Sequence, residues 1–444
     1  MDITIWDVAI DIGIMSVALI IGIILKAKIS FIQKTFMPAS FIAGILLLIL
    51  GPSALDVLPL SPWISAYPAV LIAVVFACIP IGARRADFRE QYSRVRNVWF
   101  YGVFILMLFY ATGLLTTQLF LTPVMDAPVG VGMMLGLGFF GGHGSAAAIG
   151  DTFAALGWEE ATTIGYTAAT MGMIICIVGG LMIIRRGAEK NEAKFITSFI
   201  NLPMELRTGL VPRKNRMSFG DVTFSPNAVD PLLAHIGIVG IAILIAYGIQ
   251  QGLESLLTGV SVPLFSMAII AGILVQIGLT STKADDYVDK RVVDRISGTA
   301  TDLIVVFGIA SINLTVVADY IVPLLIMFAI GIVVAYISFR VLASRTFREY
   351  WFENAVFSWG YTTGTVAMGV ALLKMVDPQL RSGALRDFGI AYLGIMPFEV
   401  LTLAFLPGIL MSGYGWTYTL FAILFGATLL IFFRSKKWIG AWDK

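Results

Sequence analysis

The sequence predicts an all-α integral membrane fold of about 11 transmembrane helices, arranged as two inverted-topology repeats of five helices, each with a re-entrant hairpin, plus one extra helix at the carboxyl end. Three observations carry that prediction. Of 444 residues, 58% are hydrophobic and only 13% charged, against about 25% charged in soluble domains. Apolar runs long enough to cross a bilayer recur along the whole chain. Every Lys and Arg falls in alternate connections between those runs.

The runs cover residues 8–25, 36–51, 66–82, 98–120, 162–184, 231–252, 262–280, 299–317, 320–339, 388–410 and 416–433, and none contains Lys or Arg. The amino end has acids at Asp2 and Asp7 and no basic region of the signal-peptide kind, so the first run is expected to remain as structure. All 30 basic residues lie in seven clusters, at 26–34, 84–96, 185–216, 283–295, 340–348, 374–386 and 434–444. The remaining connections, at 52–65, 121–128, 157–161, 253–260, 318–319 and 411–415, hold only acidic or neutral residues. Because basic residues stay on the cytoplasmic side, the amino terminus is expected outside and the carboxyl terminus inside.

Two intervals do not fit simple crossing. Arg348 and Lys374 belong to the same side, and the 25 residues between them suffice for one crossing and not for two. The segment 350–376 is therefore expected to enter and turn back, with a tip at Thr362-Thr363-Gly364-Thr365. Residues 129–156 lie between two base-free connections and carry Gly141-Gly142-His143-Gly144-Ser145, so they are expected to re-enter from the other side. Glycines and hydroxyls permit a non-helical tip that lines a protein cavity.

The halves match weakly but in order. Ile42-Ala43-Gly44-Ile45-Leu46 recurs as Ile270-Ala271-Gly272-Ile273-Leu274, Val74-Val75-Phe76 as Val305-Val306-Phe307, and Gly144-Ser145 is answered by Gly364-Thr365. An odd number of spans per copy inverts the second copy. The expected divisions are 1–184 for the first repeat, 185–230 for a cytoplasmic linker, 231–411 for the second repeat, and 412–444 for the extra span and tail. Inverted repeats with broken helices at the midplane are the architecture of secondary transporters.

Composition excludes other classes. Thirty basic against 28 acidic residues leave no charge excess to neutralise a nucleic-acid backbone. Two cysteines and two histidines are too few for a disulfide framework or a multi-histidine metal centre. Ser145 beside His143, with no third orienting group, is a poor nucleophilic pair, so an enzyme is not expected.

The Gly141 to Ser145 run crowds backbone N–H and C=O groups into a space fit for a carboxylate or an alkali cation. His143 is expected to donate to an anion or titrate. Ionisable residues inside spans are costly, which marks Asp302 and Glu399 as sodium or proton ligands, with Asp151 and Asp11 as further candidates. Asn313, Thr362, Thr363, Thr365 and Ser145 are neutral oxygen donors. Outside the tips, Lys374, Arg381 and Arg386 are the basic residues nearest the second hairpin.

The stretch Gly141-Gly142-His143-Gly144-Ser145-Ala146-Ala147, followed by Ala169-Thr170-Met171-Gly172 and Gly179-Gly180, resembles the sodium:glutamate symporter family of bacterial inner membranes, as does Met37-Pro38 before Ala43-Gly44. The resemblance implies sodium-coupled uptake of glutamate or a related organic anion, two five-span domains with re-entrant loops, and a dimer working by an elevator motion. It also implies an aspartate in the span after the second hairpin, where this chain has Glu399. The alternative expectation is a proton-coupled carrier or exporter in which Asp302 and Glu399 titrate.

Overall fold

The structure, a computed structural model, describes residues 5–35, 37–83, 92–195, 204–216, 218–256 and 263–439. Arg84, Arg85, Arg89 and Lys444 of the basic clusters, Pro203 of the linker and the second half of the 253–260 connection lie outside these residues. The helices that position the site are α1 (Ile5–Lys28), α2 (Ala39–Leu50), α3 (Tyr67–Cys78), α4 (Ser93–Met125), α5 (Gly142–Ala155) and α6 (Ala161–Glu189). After the linker come α7 (Pro231–Leu256), α8 (Leu264–Thr282), α9 (Lys290–Ala310), α10 (Ile321–Thr346), α11 (Trp351–Thr363), α12 (Val366–Val376), α13 (Ala384–Met411) and α14 (Gly415–Ser435). Among the described residues eight helices are long and apolar enough to cross a membrane, with α2 and α3 as shorter apolar helices.

One expected span is overturned. The run 299–317 is not a continuous helix: α9 begins at Lys290, where the Asp289 side chain caps it, and stops at Ala310. Asn313 then accepts from the backbone of Thr315 and Val316 and starts a separate short helix, Leu314–Asp319. Asn313 carries one of the few side chains whose oxygen satisfies the orphan N–H groups of a helix start, so it favours a break over an interior position. A hydropathy scan sees only the apolar content on both sides of that break.

The helices gather into two bodies. In the first, α1 packs on α2 and α7 on α8, while α2 and α8 reach across to α9 and α3, which pack on each other. The repeated pentapeptides meet in this body: Gly44 stands against Ile309 of α9, and Gly272 against the Ala77 carbonyl of α3. A methyl group at either position would overlap its neighbour, so small residues are required there. The second body holds α4, α5, α6 and α10 through α14, with α13 and α14 laid along α4 and α5 against α6. α3 and α9 touch α5 where the bodies meet.

The basic clusters come together at one rim. Arg94 binds Asp387 at 2.7 Å and the Ser382 carbonyl at 2.5 Å, Arg340 binds Glu192 at 2.8 Å, and Arg348 donates to the Lys437 carbonyl at 2.5 Å. Arg96 lies over the Trp438 ring, and Lys26 flanks Gly209 of the linker. The linker is tied down by Arg291, which pairs with Asp221 and Asp289. That guanidinium, donating hydrogen bonds, is the main reason the Asp289 carboxyl is held down at about 2. The buried His235 spends both nitrogens beside it, one on the Pro231 carbonyl and one accepting from the Asp289 N–H. At the opposite rim the base-free connections meet, Gly130 against Trp158 and Gly415 against Val129.

Asp11 has a structural place. It is fully buried in α1 and accepts from the Ser61 N–H at 2.9 Å, the Ser61 hydroxyl, and the Tyr67 hydroxyl at 2.8 Å. Those bonds fasten the 52–65 connection to the first helix. A hydrogen bond to a charged group contributes about 1.5 to 3 kcal/mol, so Asp11→Ala is expected to lower the thermal midpoint in detergent without changing the ion dependence of the surviving protein. An unaltered midpoint would contradict this role.

Candidate functional site

The first half of the site is a broken helix. From Val129 the chain winds inward in short helical turns, widens into a π-turn at Leu137–Gly141, and stops. Gly142 takes φ +63 and ψ −163, a conformation essentially confined to glycine. From there α5 returns, and its far end brings Phe153 and Trp158 against Gly130. The second half is built the same way. α11 ends at Thr363, Gly364 breaks the helix at φ −141 and ψ −104, Thr365 is extended, and its hydroxyl caps α12 by accepting from the Met368 N–H at 3.3 Å. α11 and α12 run antiparallel and cross where Gly360 faces Gly369, backbone against backbone.

The two breaks meet. A Cβ placed on Gly142 would lie 3.5 Å from the Gly364 carbonyl oxygen and 4.0 Å from the Thr365 methyl. α6 is the common wall. Its Gly172 has no room for a side chain because the carbonyls of Gly138, from the first break, and Thr363, from the second, press on it. One turn on, the Cys176 carbonyl accepts from the Trp359 indole at 3.0 Å, and its thiol donates to the Gly360 carbonyl at 3.5 Å.

This geometry sets out two kinds of ligand. The α5 and α12 helices both start at the meeting point, and helix starts present unpaired N–H groups and partial positive charge to an anion. α11 ends there, presenting carbonyl oxygens suited to a hard cation. The hydroxyls of Thr362 and Thr363 donate back to the Ser358 and Trp359 carbonyls at 2.7 and 2.6 Å, which leaves their oxygens only as acceptors.

His143 is oriented by its neighbours. Thr170 spends its one hydroxyl hydrogen on the Tyr166 carbonyl at 2.8 Å, so at 3.0 Å it must accept from His143 Nε2. Nδ1 of the neutral ring is then a buried acceptor with no partner among the described residues. His143 therefore spends its Nε2 hydrogen on Thr170.

Glu399 is buried in α13, two residues after Pro397. It accepts from the Tyr392 hydroxyl at 3.1 Å and faces Ser145 of the first break. Asp302 is placed elsewhere: it is exposed on α9 and accepts from the Ser40 hydroxyl at 2.8 Å. Asn313 is an exposed helix cap. Asp151 is exposed toward the far end of α5. Arg381 and Arg386 lie at the basic rim with Gln379 and Asp387, and Lys374 sits in the last turn of α12, about 12 Å along the helix from its start. The tertiary structure adds Gly172, Thr170, Cys176 and Tyr392 to the surroundings. Tyr392 was detectable in principle, seven residues before Glu399 on the same helix face.

No group of three or more His, Cys, Asp and Glu is arranged to hold a metal among the described residues. The model of the sodium/glutamate symporter family matches residues 5–376. The chain belongs to that family. None of the curated proteins matches it. Membership makes this symporter a multi-pass transporter of the lipid bilayer rather than an enzyme. The matched region ends at the foot of α12, so α13 and Glu399 lie beyond it.

Proposed function

We propose that this symporter carries glutamate or a related organic anion into the cell together with sodium, binding both where the two helix breaks meet. The observation that carries the reading is the approach of Gly142 to Gly364 on the shared wall of Gly172. The α5 and α12 helix starts would take the carboxylate. Carbonyls of the breaks, the oxygens of Thr362 and Thr363, and Glu399 would take sodium. A cation brought in down a membrane potential of 100 mV supplies about 2.3 kcal/mol toward accumulation.

The inverted repeat belongs to the same proposal. It is supported by matched packing, with α2 on α9 answered by α8 on α3, and Gly44 answered by Gly272. The first hairpin has its feet at the base-free rim and the second at the basic rim, in keeping with entry from opposite faces and a cytoplasmic carboxyl terminus. Two bodies joined mainly through α5 suit an elevator motion, in which the hairpin body moves against the other.

Proteoliposomes are expected to accumulate radiolabelled glutamate, or another acid in a panel of amino and dicarboxylic acids, only with an inward sodium gradient. Equal uptake with potassium in place of sodium would defeat sodium coupling.

A further inference from the structure

Glu399 is buried in α13, the helix that touches α5 of the first hairpin and α11 of the second. Among the described residues its hydrogen-bond partners are hydroxyls: Tyr392 donates to Oε2 at 3.1 Å, and Ser145 meets it from the first break. None of the ion pairs among the described residues includes it. Hydroxyls fix the place of a carboxylate without cancelling its charge, and a buried charge left uncompensated is costly. Two donors also use only part of the acceptor capacity of a carboxylate, which has about four lone-pair sites. The arrangement leaves both charge and lone pairs to a cation.

Tyr392 is held in its turn by the second hairpin. Its ring packs on Phe388, one turn earlier in α13, with centroids 5.4 Å apart. Phe388 lies against Phe357 and Tyr361 of α11, at 5.1 and 4.5 Å. Rings this close adopt offset or edge-to-face arrangements, so the direction of the Tyr392 hydroxyl depends on where α11 stands. Phe357, Tyr361 and Phe388 are all buried, which leaves the stack little room to reorient. Glu399 is thus held from two sides, by Ser145 of the first hairpin and, through Tyr392, by the second.

We propose that Tyr392 is a positioning residue for sodium: its hydroxyl holds Glu399 in the rotamer that meets the ion, and the stack on α11 sets the place of Tyr392. This deepens the sodium symport reading and rests on it. A group that orients a metal ligand from behind typically governs about tenfold to a hundredfold of metal affinity. A hydrogen bond that only satisfied a buried carboxyl would instead change stability and leave sodium affinity as it is.

The test reads sodium binding by the full chain in detergent, as the sodium chloride concentration that gives half of the rise in thermal midpoint, with potassium chloride holding the ionic strength constant. Tyr392→Phe keeps the ring and its packing and removes the hydroxyl. It is expected to raise the half-saturating sodium concentration about tenfold or more, while the maximal rate of sodium-driven uptake in proteoliposomes is retained once sodium saturates. Tyr418→Phe is the contrast: its hydroxyl bonds Thr402, one turn beyond Glu399 on α13, at 3.0 Å, and its loss is expected to leave the sodium value unaltered. The double variant Glu399→Gln with Tyr392→Phe is expected to bind sodium no more weakly than Glu399→Gln alone, since Tyr392 acts through the carboxylate. An unchanged sodium value in Tyr392→Phe, equal effects from the two tyrosines, or additive losses in the double variant overturns the proposal. If the parent protein shows no rise specific to sodium, the symport reading falls together with this role. If the parent shows it and Tyr392→Phe matches the parent, the positioning role alone falls.

Discussion

Gly172→Ala is expected to abolish most of the proposed sodium-driven uptake, by tenfold or more, while the protein still inserts and folds. The added methyl would sit 2.8 Å from the Thr363 carbonyl oxygen and closer still to that of Gly138. Neither atom is the end of a flexible side chain, so the backbone of both breaks must shift. Overpacking of this kind costs about 1 to 3 kcal/mol, which a protein of this size tolerates. Misplacing ligand groups by a fraction of an ångström is far more damaging to function, with losses of about a hundredfold for 1 Å in comparable sites. Gly389→Ala makes the same chemical change on α13 where nothing lies within 4 Å, and uptake is expected to be unchanged. If Gly172→Ala transports as well as the parent protein, the meeting point is not the binding site.

Glu399→Gln is the second large effect. The amide keeps the size of the side chain and can still meet Tyr392 and Ser145, but it removes the negative charge. As a sodium ligand, Glu399 should show a rise of tenfold or more in the sodium concentration that half-saturates uptake, with a smaller change for the organic substrate. As a proton carrier, it should instead lose the pH response with the sodium requirement intact, which would favour a proton-coupled carrier. Asp302→Asn provides the contrast. Asp302 is exposed and bonded to Ser40 on another face, so it is expected to move the sodium requirement less than twofold. Equal effects from the two variants would argue against the assignment of Glu399.

The outlines of the helices were legible because the bilayer imposes a simple rule. Backbone polar groups in hydrocarbon must be satisfied within the helix, so long apolar runs such as 8–25 and 231–252 have one available structure. The turning back of 350–376 was expected from counting residues between Arg348 and Lys374, and the packing of α11 on α12 supports the proposed hairpin. The break at Ser311 to Asn313 was missed because capping depends on local hydrogen bonding that hydropathy does not weigh. Asp11 and Asp302 were singled out with Glu399 since all three are acids in apolar runs. Only their neighbours separate them: Ser61 and Tyr67 saturate the first, Ser40 meets the second at an exposed face, and Ser145 places the third beside a helix break.

By itself the sequence determined the membrane class, the succession of apolar helices, the alternation of basic connections and the two glycine-bearing breaks, because each depends on residues close along the chain or on transfer to hydrocarbon. The tertiary structure decided that the breaks touch, that Gly172 is wedged between them, that His143 donates to Thr170, and that Glu399 lies beside the first break. Those facts depend on contacts between different segments, from 27 residues apart for His143 and Thr170 to far more for Gly142 and Gly364, and local composition carries no record of them.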